Sequence, residues 1–232
     1  MMDFFMISAI FTSNITAGIN LGFYYYRFSH RIHYSVCKMF EVFEKYLKEK
    51  QPDLTEEDLN QIRAVSVFKK LRKRQYLLQE GDTSHHACFI IKGCLRNYRL
   101  SEDGVEHILK FAVETWWMSD LESYNNDVPS KNNIDAIEDC ELLLIEKKDF
   151  EKLTEDILNF RQFHDKLKSK SVDTFQNRII SNISDTAEEK YFKFIKTYPD
   201  VFNRVPLHMI ASYLGVSRET LSRIRINYAR SH

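Results

Sequence analysis

The alternation of apolar and polar positions divides the chain into a helical start, a strand-rich middle and a helical end. Between residues 39 and 62 the apolar residues recur every three or four positions, which predicts two short helices. From about Ser66 to Lys147, short runs of β-branched and aromatic residues alternate with glycine-containing turn sequences. This rhythm predicts a small antiparallel barrel or sandwich, and Asp103-Gly104 is its clearest hairpin turn.

A second helical region begins after Asp149. Its apolar positions lie alternately four and three residues apart, as in the seam of a long helix that pairs with a copy of itself. The alternative is a helix that packs on the protein's own barrel. The seam consists of Leu153, Ile157, Phe160, His164 and Leu167.

The last part of the chain, from Leu207 onward, has the pattern of a helix-turn-helix. Gly215 lies between the two helical halves, where the turn requires a residue that adopts a positive φ. Ser217 is a suitable N-cap for the second helix. The apolar residues expected beneath the two helices are Ile210, Ala211, Leu214, Val216, Leu221 and Ile224.

The polar residues of this helix-turn-helix favour DNA recognition over simple solubility. Arginine can bond two acceptors of guanine and glutamate can accept from cytosine, so a mixture of the two suits base reading in the major groove. The residues predicted to read bases are Arg218, Glu219, Ser222 and Arg223. The residues predicted to contact phosphates are His208, Ser217, Thr220 and Arg225. The alternative is a helical pair that only packs.

Charge and cysteine content narrow the classes of function. Lysine plus arginine and aspartate plus glutamate number 33 each, so any nucleic-acid surface must be local. From Leu207 onward the chain carries four arginines against one glutamate, which supplies such a surface. The four cysteines are scattered without metal-ligand spacing, which favours reduced cysteines in a cytoplasmic protein and no metal site. No set of nucleophile and base emerges, so we do not expect an enzyme.

The first 38 residues differ in composition from the rest. Phe4 to Tyr26 contains no charged residue and is long enough to cross a bilayer. Polar residues and two glycines dilute this stretch, so we predict that residues 1–38 are a dispensable or non-native extension and that the functional module begins near Met39. A membrane anchor that leaves the remainder in the cytoplasm is the alternative.

Several stretches resemble the CRP/FNR family of bacterial transcription regulators. "GVSRETLSRIR" (residues 215–225) resembles the family's recognition element, and "FIIKGCLRNYRLSEDGVEHILKF" with "IDAIEDCELLLIEKKDFEKL" resembles its β-roll. "WWMSDL" and "DTAEEKYFKFIKTYPD" are similar to the branch common in Bacteroidetes. The resemblance implies an α+β chain: a β-roll (cyclic-nucleotide-binding-like) effector domain over 39–150, a dimerisation helix over 151–182, and a winged helix-turn-helix over 183–232.

The same resemblance implies a function and a set of partners. It implies a homodimer that binds a pseudo-palindromic operator in double-stranded DNA, with base reading by the equivalents of Arg218, Glu219 and Arg223. A small-molecule effector would alter how the long helices pair, and RNA polymerase is a candidate partner. Cys37 alone before the β-roll cannot supply the family's iron–sulfur centre, so no cofactor is expected. The alternative function is a cyclic-nucleotide-binding signalling module whose terminal helices serve another interaction.

The effector domain departs from the family's cyclic-AMP pattern. Where that pattern has Gly-Glu-Leu and, further on, Arg-Ser, this chain has "SDL" and "SKN". Without the arginine that would clamp a cyclic phosphate, we do not expect cyclic AMP to bind in the usual way. The tryptophan pair suggests a pocket for a more apolar effector, although packing of one tryptophan in the core and the other on the long helix is the alternative. The predicted pocket residues are Trp116, Trp117, Ser119, Asp120, Leu121, Ser130 and Lys131.

Overall fold

The computed structural model describes residues 39–199 and 201–231. Residues 1–38, where the sequence predicts an extension or a membrane anchor, lie outside the described residues. Within the described ranges, no helix has both the length and the apolar character needed to span a membrane. In the same ranges, no group of histidine, cysteine and carboxylate side chains is placed to hold a metal ion.

The middle of the chain forms two antiparallel sheets of four strands each. The first sheet has the strand order β1-β8-β3-β6 and the second has the order β2-β7-β4-β5. The predicted antiparallel barrel or sandwich is therefore confirmed. The strands are β1 (Ser66–Leu71), β2 (Tyr76–Leu78), β3 (His86–Lys92), β4 (Leu95–Leu100), β5 (Glu106–Ala112), β6 (Trp117–Met118), β7 (Asn133–Ala136) and β8 (Cys140–Glu146).

One apolar core joins the two sheets into a β-roll. Because side chains alternate between the two faces of a strand, each sheet places one apolar row inward. Burial of these rows stabilises the roll by roughly 25 cal/mol for each Å² of apolar surface removed from water. The core contains Leu71, Cys88, Ile90, Met118, Leu142 and Leu144 from the first sheet, and Leu78, Leu95, Ala112, Ile134 and Ala136 from the second.

Two glycine turns fix how the strands connect. Gly104, at φ 80°, donates its amide to the Ser101 carbonyl at 2.9 Å and closes the hairpin between β4 and β5, as the sequence predicts. Gly93, at φ 104°, joins β3 to β4 where a Cβ atom would lie 2.5 Å from the Cys140 Sγ. Only glycine fits this second turn without displacing a neighbouring strand.

Helices precede, interrupt and follow the roll. The segment before β1 and the helices directly after β8 pack on the first sheet through aromatic rings, such as Phe43 on Trp117 at 5.6 Å and Phe150 on Trp117 at 5.9 Å. The helices are α1 (residues 39–50), α2 (Glu56–Ala64), α3 (Leu121–Asn126), α4 (Lys147–Asp156), α5 (Leu158–Ser184), α6 (Ala187–Thr197), α7 (Val201–Arg204), α8 (Leu207–Leu214) and α9 (Arg218–Ser231).

The single helix expected over 151–182 is divided into two helices in the structure. Ile157 has an extended backbone (φ −113°, ψ 103°), which ends α4 and starts α5 at Leu158. Leu153, Ile157 and Phe160 of the predicted pairing seam are buried within the chain itself. This part of the seam therefore packs on the protein's own roll, where Phe150 also contacts Trp117.

The four last helices, α6 to α9, pack on the outer face of the second sheet. Residues 185–199 and 201–231 contain no strand, so the wing expected beside the helix-turn-helix is not formed in these ranges. The shared core contains Tyr98, Ile108 and Phe111 from the sheet, with Tyr191, Phe194, Tyr198, Ile210, Leu214, Leu221 and Ile224 from the helices.

Candidate functional site

The turn between α8 and α9 has the geometry that the sequence predicts. Gly215 is left-handed at φ 67°, and the next amide, of Val216, donates to the Ala211 carbonyl at 3.1 Å. This hydrogen bond satisfies a carbonyl that the end of α8 would otherwise leave without a donor. Ser217 caps α9 by accepting the Thr220 amide at 3.1 Å. The turn therefore holds the first residues of α9 in a fixed orientation.

The four residues predicted to read bases share one face of α9. Arg218, Glu219, Ser222 and Arg223 line a single shallow concavity together with Ile226 and Asn227. On the opposite face, Leu221 and Ile224 are buried. Arg218 and Arg223 form no salt bridge with any described residue, and both are exposed.

Glu219 lies between these arginines as a charged acceptor. Its pKa is lowered by a hydrogen bond from its own backbone amide, by the Ser217 hydroxyl and by the charge of Arg218. The carboxylate is therefore ionised at neutral pH and presents hydrogen-bond acceptors to solvent. One face of α9 thus offers both donors and an acceptor, as base-edge recognition requires.

The predicted phosphate contacts fall into two groups. His208 and Ser217 are exposed near the starts of α8 and α9, and Thr220 is half-buried within hydrogen-bond distance of Ser217. Arg225 instead places its guanidinium 4.4 Å from the centre of the Phe202 ring, where it is engaged in packing α9 against its neighbours.

Sequence reasoning missed the residues that attach the helix-turn-helix to the roll. Ser212 of α8 accepts the Ile108 amide at 3.1 Å and donates to the Glu106 carbonyl at 2.7 Å, so it joins the open edge of β5. Arg178 of α5 lies over the Tyr213 ring at 4.2 Å and donates to the carbonyls of Ile108 and Leu109. No local pattern distinguishes these side chains from ordinary surface residues.

Arg204 makes the third attachment. Its guanidinium pairs with Glu114 at 2.9 Å and with Glu138, both in loops of the roll. Glu114 also accepts the Gly93 amide at 2.8 Å. Although burial opposes ionisation, these hydrogen bonds and the charge of Arg204 hold the pKa of Glu114 below its usual value. The pair therefore stays charged at neutral pH and ties α7 to the roll.

Asp120, one of the predicted pocket residues, has a structural environment. It is buried, and one carboxylate oxygen accepts the amides of Glu122 and Ser123 at the start of α3. The other oxygen accepts the Ser130 hydroxyl at 2.5 Å and the Asn132 side-chain amide at 2.9 Å. The Asp120 carboxylate therefore accepts four hydrogen bonds from groups of the chain itself.

The two tryptophans of the predicted pocket lie in different aromatic environments. Trp116 packs on Tyr198 at 5.2 Å, whereas Trp117 packs on Phe89 at 5.4 Å in the aromatic cluster below α1 and α5. Both tryptophans are therefore packing residues, and their ring partners differ. Elsewhere in the predicted set, Ser119 bonds the His86 carbonyl, Leu121 is exposed, and Lys131 pairs with Glu122 at 2.9 Å.

Sequence reasoning also missed two polar cross-strand neighbours inside the roll, Lys110 and Asn97. Lys110 of β5 donates to the Trp117 carbonyl at 2.8 Å, and burial lowers its pKa to about 8. Its cross-strand partner is Asn97 of β4, whose side-chain oxygen is buried without a hydrogen-bond partner. The sequence gives no sign that Lys110 is buried, because it is a single lysine in a strand of otherwise ordinary composition.

The fold and one domain have counterparts among known proteins. Residues 68–156 match the family model of the cyclic nucleotide-binding domain. FixK2 from Bradyrhizobium japonicum is similar in structure, with a TM-score of 0.62 and 18% identity over 72% of this chain and 86% of that one. The c-di-GMP-responsive global regulator CLP of Xanthomonas campestris has a TM-score of 0.58 and 14% identity, over 76% of this chain and 93% of that one.

A third similar structure carries a family assignment. It is a protein from Eubacterium rectale that is assigned to the CRP/FNR family of transcriptional regulators, with a TM-score of 0.58 and 16% identity. The match covers 78% of this chain and 86% of that one. No curated protein matches the sequence. At these identities the similarity is one of fold, and it extends over most of each chain.

Proposed function

This chain has the fold of the CRP/FNR transcription regulators and contains a cyclic nucleotide-binding domain, and we propose that it is a homodimeric regulator that binds specific DNA sequences in the cytoplasm. The exposed face of α9 is the observation that carries the proposal. It presents an ionised glutamate and two arginines that form no salt bridge with a described residue, on a helix capped by Ser217. RNA polymerase is the partner through which such a protein would act.

Base reading follows from what this face can bond. Arg218 and Arg223 each offer a planar set of donors for the O6 and N7 atoms of guanine, and Glu219 accepts from the amino group of cytosine. Ser222 adds a hydroxyl that bonds either donors or acceptors. Because Leu221 and Ile224 anchor the opposite face, these groups reach the major groove without first having to be ordered.

Phosphate contacts set the register of the helix on the duplex. We assign them to His208, Ser217 and Thr220, which lie near the starts of α8 and α9. Arg225 is left out because its guanidinium is held over Phe202. Contacts of this kind fix orientation and carry no sequence information directly.

Replacement of Arg223 tests the base-reading assignment. Arg223→Ala should weaken binding to the preferred duplex by about 1–3 kcal/mol and relax the choice of base at one position of each half-site. Lys152→Ala is the matched control, since it removes one positive charge from the exposed surface of α4 and should leave base preference unchanged. Fluorescence anisotropy on the preferred duplex and on its single-base variants measures both. Unchanged base selectivity in the Arg223→Ala variant would contradict the assignment of Arg223 to base reading.

Dimerisation is supported by the second half of α5. There the apolar residues recur at intervals of three and four and face solvent: Val172 is 53% exposed, Phe175 50%, Ile179 59% and Ile183 81%. An apolar stripe of this kind on a helix is the usual surface for pairing with a second helix. A two-fold axis along the stripe would give the dimer two copies of α9, as a pseudo-palindromic operator requires.

A charge placed in this stripe tests the dimer. Ile179→Glu should convert the dimer to a monomer, because the carboxylate would be buried without a partner at the helix pair. Val67→Glu is the matched control, since Val67 is 62% exposed on β1 and lies outside the stripe. Sedimentation equilibrium distinguishes the two states. A monomeric wild-type protein, or a dimeric Ile179→Glu variant, would contradict the proposed interface.

The effector domain is proposed not to bind cyclic AMP in the usual way. A cyclic phosphate needs donors, but the amides that begin α3 and the polar groups of Ser130 and Asn132 already bond the Asp120 carboxylate. That buried carboxylate would also repel a phosphate. Lys131, which could otherwise supply a positive charge, is paired with Glu122.

Titration with cyclic nucleotides separates this proposal from the signalling-module alternative. Trp117 is the first residue of β6, Trp116 directly precedes it, and both serve as intrinsic fluorophores. We expect no saturable change in their emission when cyclic AMP or cyclic GMP is added at micromolar concentrations. Saturation in that range would favour the alternative function and would show that the Asp120 network opens for a ligand.

A further inference from the structure

Ile226 is an apolar residue on the outer face of α9, and the proposed DNA contacts do not use it. Its side chain is 50% exposed, whereas Ile224 on the opposite face is 6% exposed. An isoleucine that stays half open to water gains little from the folding of its own chain. Its apolar surface is therefore available to a partner. The residues that line the same concavity include Arg218, Glu219, Ser222 and Arg223.

Helical spacing places Ile226 in line with the proposed base-reading residues. Glu219, Ser222, Arg223 and Ile226 lie at i, i+3, i+4 and i+7, so they share one face of α9. A helix in the major groove reads base edges with residues at this spacing. A rise of about 1.5 Å per residue carries Ile226 about 10 Å beyond Glu219, roughly the height of three stacked base pairs. Ile226 therefore meets a different base pair from Glu219.

The packing of α9 holds Ile226 in this orientation. Leu221 and Ile224 are buried in the core that α9 shares with the second sheet, and Arg225 lies over the Phe202 ring at 4.4 Å. Rotation of α9 about its axis would expose Leu221, which is unfavourable. A β-branched side chain also has one strongly preferred χ1 rotamer in a helix. The branch of Ile226 is therefore presented to the groove with little conformational freedom left to lose.

An isoleucine side chain has one apolar counterpart in the major groove. It forms no hydrogen bonds, so it cannot distinguish base edges by their donors and acceptors. The C5 methyl group of thymine is the apolar group that base pairs present there, and contact with Ile226 would remove apolar surface of both from water. A protein partner would instead have to bury Glu219 and Arg223 beside Ile226, which is costly for charged groups without matched partners.

From these observations we propose that Ile226 recognises a thymine through its C5 methyl group, at one position in each half-site. The inference rests on the proposed function, because α9 must first occupy the major groove. The methyl group belongs to one base of the pair, so the contact distinguishes T·A from A·T as well as from the two G·C orientations. Base reading by α9 thus combines the hydrogen bonds of its polar residues with one apolar contact.

Removal of single methyl groups from the operator tests the proposal. Each thymine of the half-site is replaced in turn by deoxyuridine, which lacks only the C5 methyl group and keeps the same hydrogen-bonding edge. At one position the wild-type protein should lose about fourfold in affinity for each half-site, as expected for one buried methyl group. At that position 5-methylcytosine should bind more tightly than cytosine, because it restores the methyl group. Fluorescence anisotropy measures each dissociation constant.

Variants at position 226 assign the methyl effect to its side chain. Ile226→Ala should bind the thymine and deoxyuridine duplexes equally at that position, since the shorter side chain does not reach the methyl group. Ile226→Val keeps the branched Cβ and should retain part of the preference for thymine. The matched control is Val67→Ala, which shortens another exposed β-branched residue, 62% exposed on β1, and should keep the whole effect. Unchanged urea unfolding verifies that each variant is folded.

Two results would overturn the proposal. The first is a preferred half-site that contains no thymine, or none whose replacement by deoxyuridine weakens binding of the wild-type protein. The second is an Ile226→Ala variant that still discriminates thymine from deoxyuridine, which would assign the methyl contact to another residue. Failure of the proposed function is distinguishable, because a protein without sequence preference would select no operator. Relaxed base choice in Arg223→Ala without any response to deoxyuridine would refute only the role of Ile226.

Discussion

The apolar contact between α8 and the outer face of the second sheet is the constraint on which the site depends. Ile108 and Phe111 of that sheet share a core with Ile210 and Leu214 of α8 and with Leu221 of α9. Helix α9 is therefore packed against the roll through this shared core. Any change in the curvature of β4 and β5 would reorient α9.

Polar contacts around this apolar core fix the orientation of the terminal helices on the roll. An apolar cluster alone permits sliding, whereas the Ser212 bonds to the edge of β5 and the Arg204 pair with Glu114 each admit one arrangement. Arg178 adds a link from α5 to the same strand. Since α5 also carries the proposed dimer stripe, the pairing of two chains and the orientation of α9 are mechanically connected through one strand. An effector of any chemistry could act through this junction.

Local features were predictable from the sequence where a single residue determines the backbone. Period-two alternation identified the sheets, and Gly215 and Ser217 identified the turn and the cap of α9, because positive φ and N-capping have strong residue preferences. The grouping of the four predicted base-reading residues on one face of α9 followed from helical spacing alone. In each of these cases the residue and its neighbours along the chain determine the local backbone conformation.

Features that depend on distant partners were not predictable. No proline or glycine marks the break at Ile157, and the separate environments of Trp116 and Trp117 are set by Tyr198 and Phe89, which are distant in sequence. Asp120 was expected to line a pocket, yet Ser130 and Asn132 bring their donors to it from across a loop. Hydrophobic periodicity also could not show where along α5 the apolar side chains cease to be buried and become exposed.

The central claim is that the outer face of α9 distinguishes one duplex sequence from another. Selection of bound sequences from random duplexes by the purified full-length protein tests it most directly. The account predicts enrichment of a pseudo-palindrome whose half-sites lie about one helical turn apart, roughly 10 base pairs between centres. Recovery of unenriched sequence, with and without cell metabolites, would contradict the claim and leave a roll with a packed helical end.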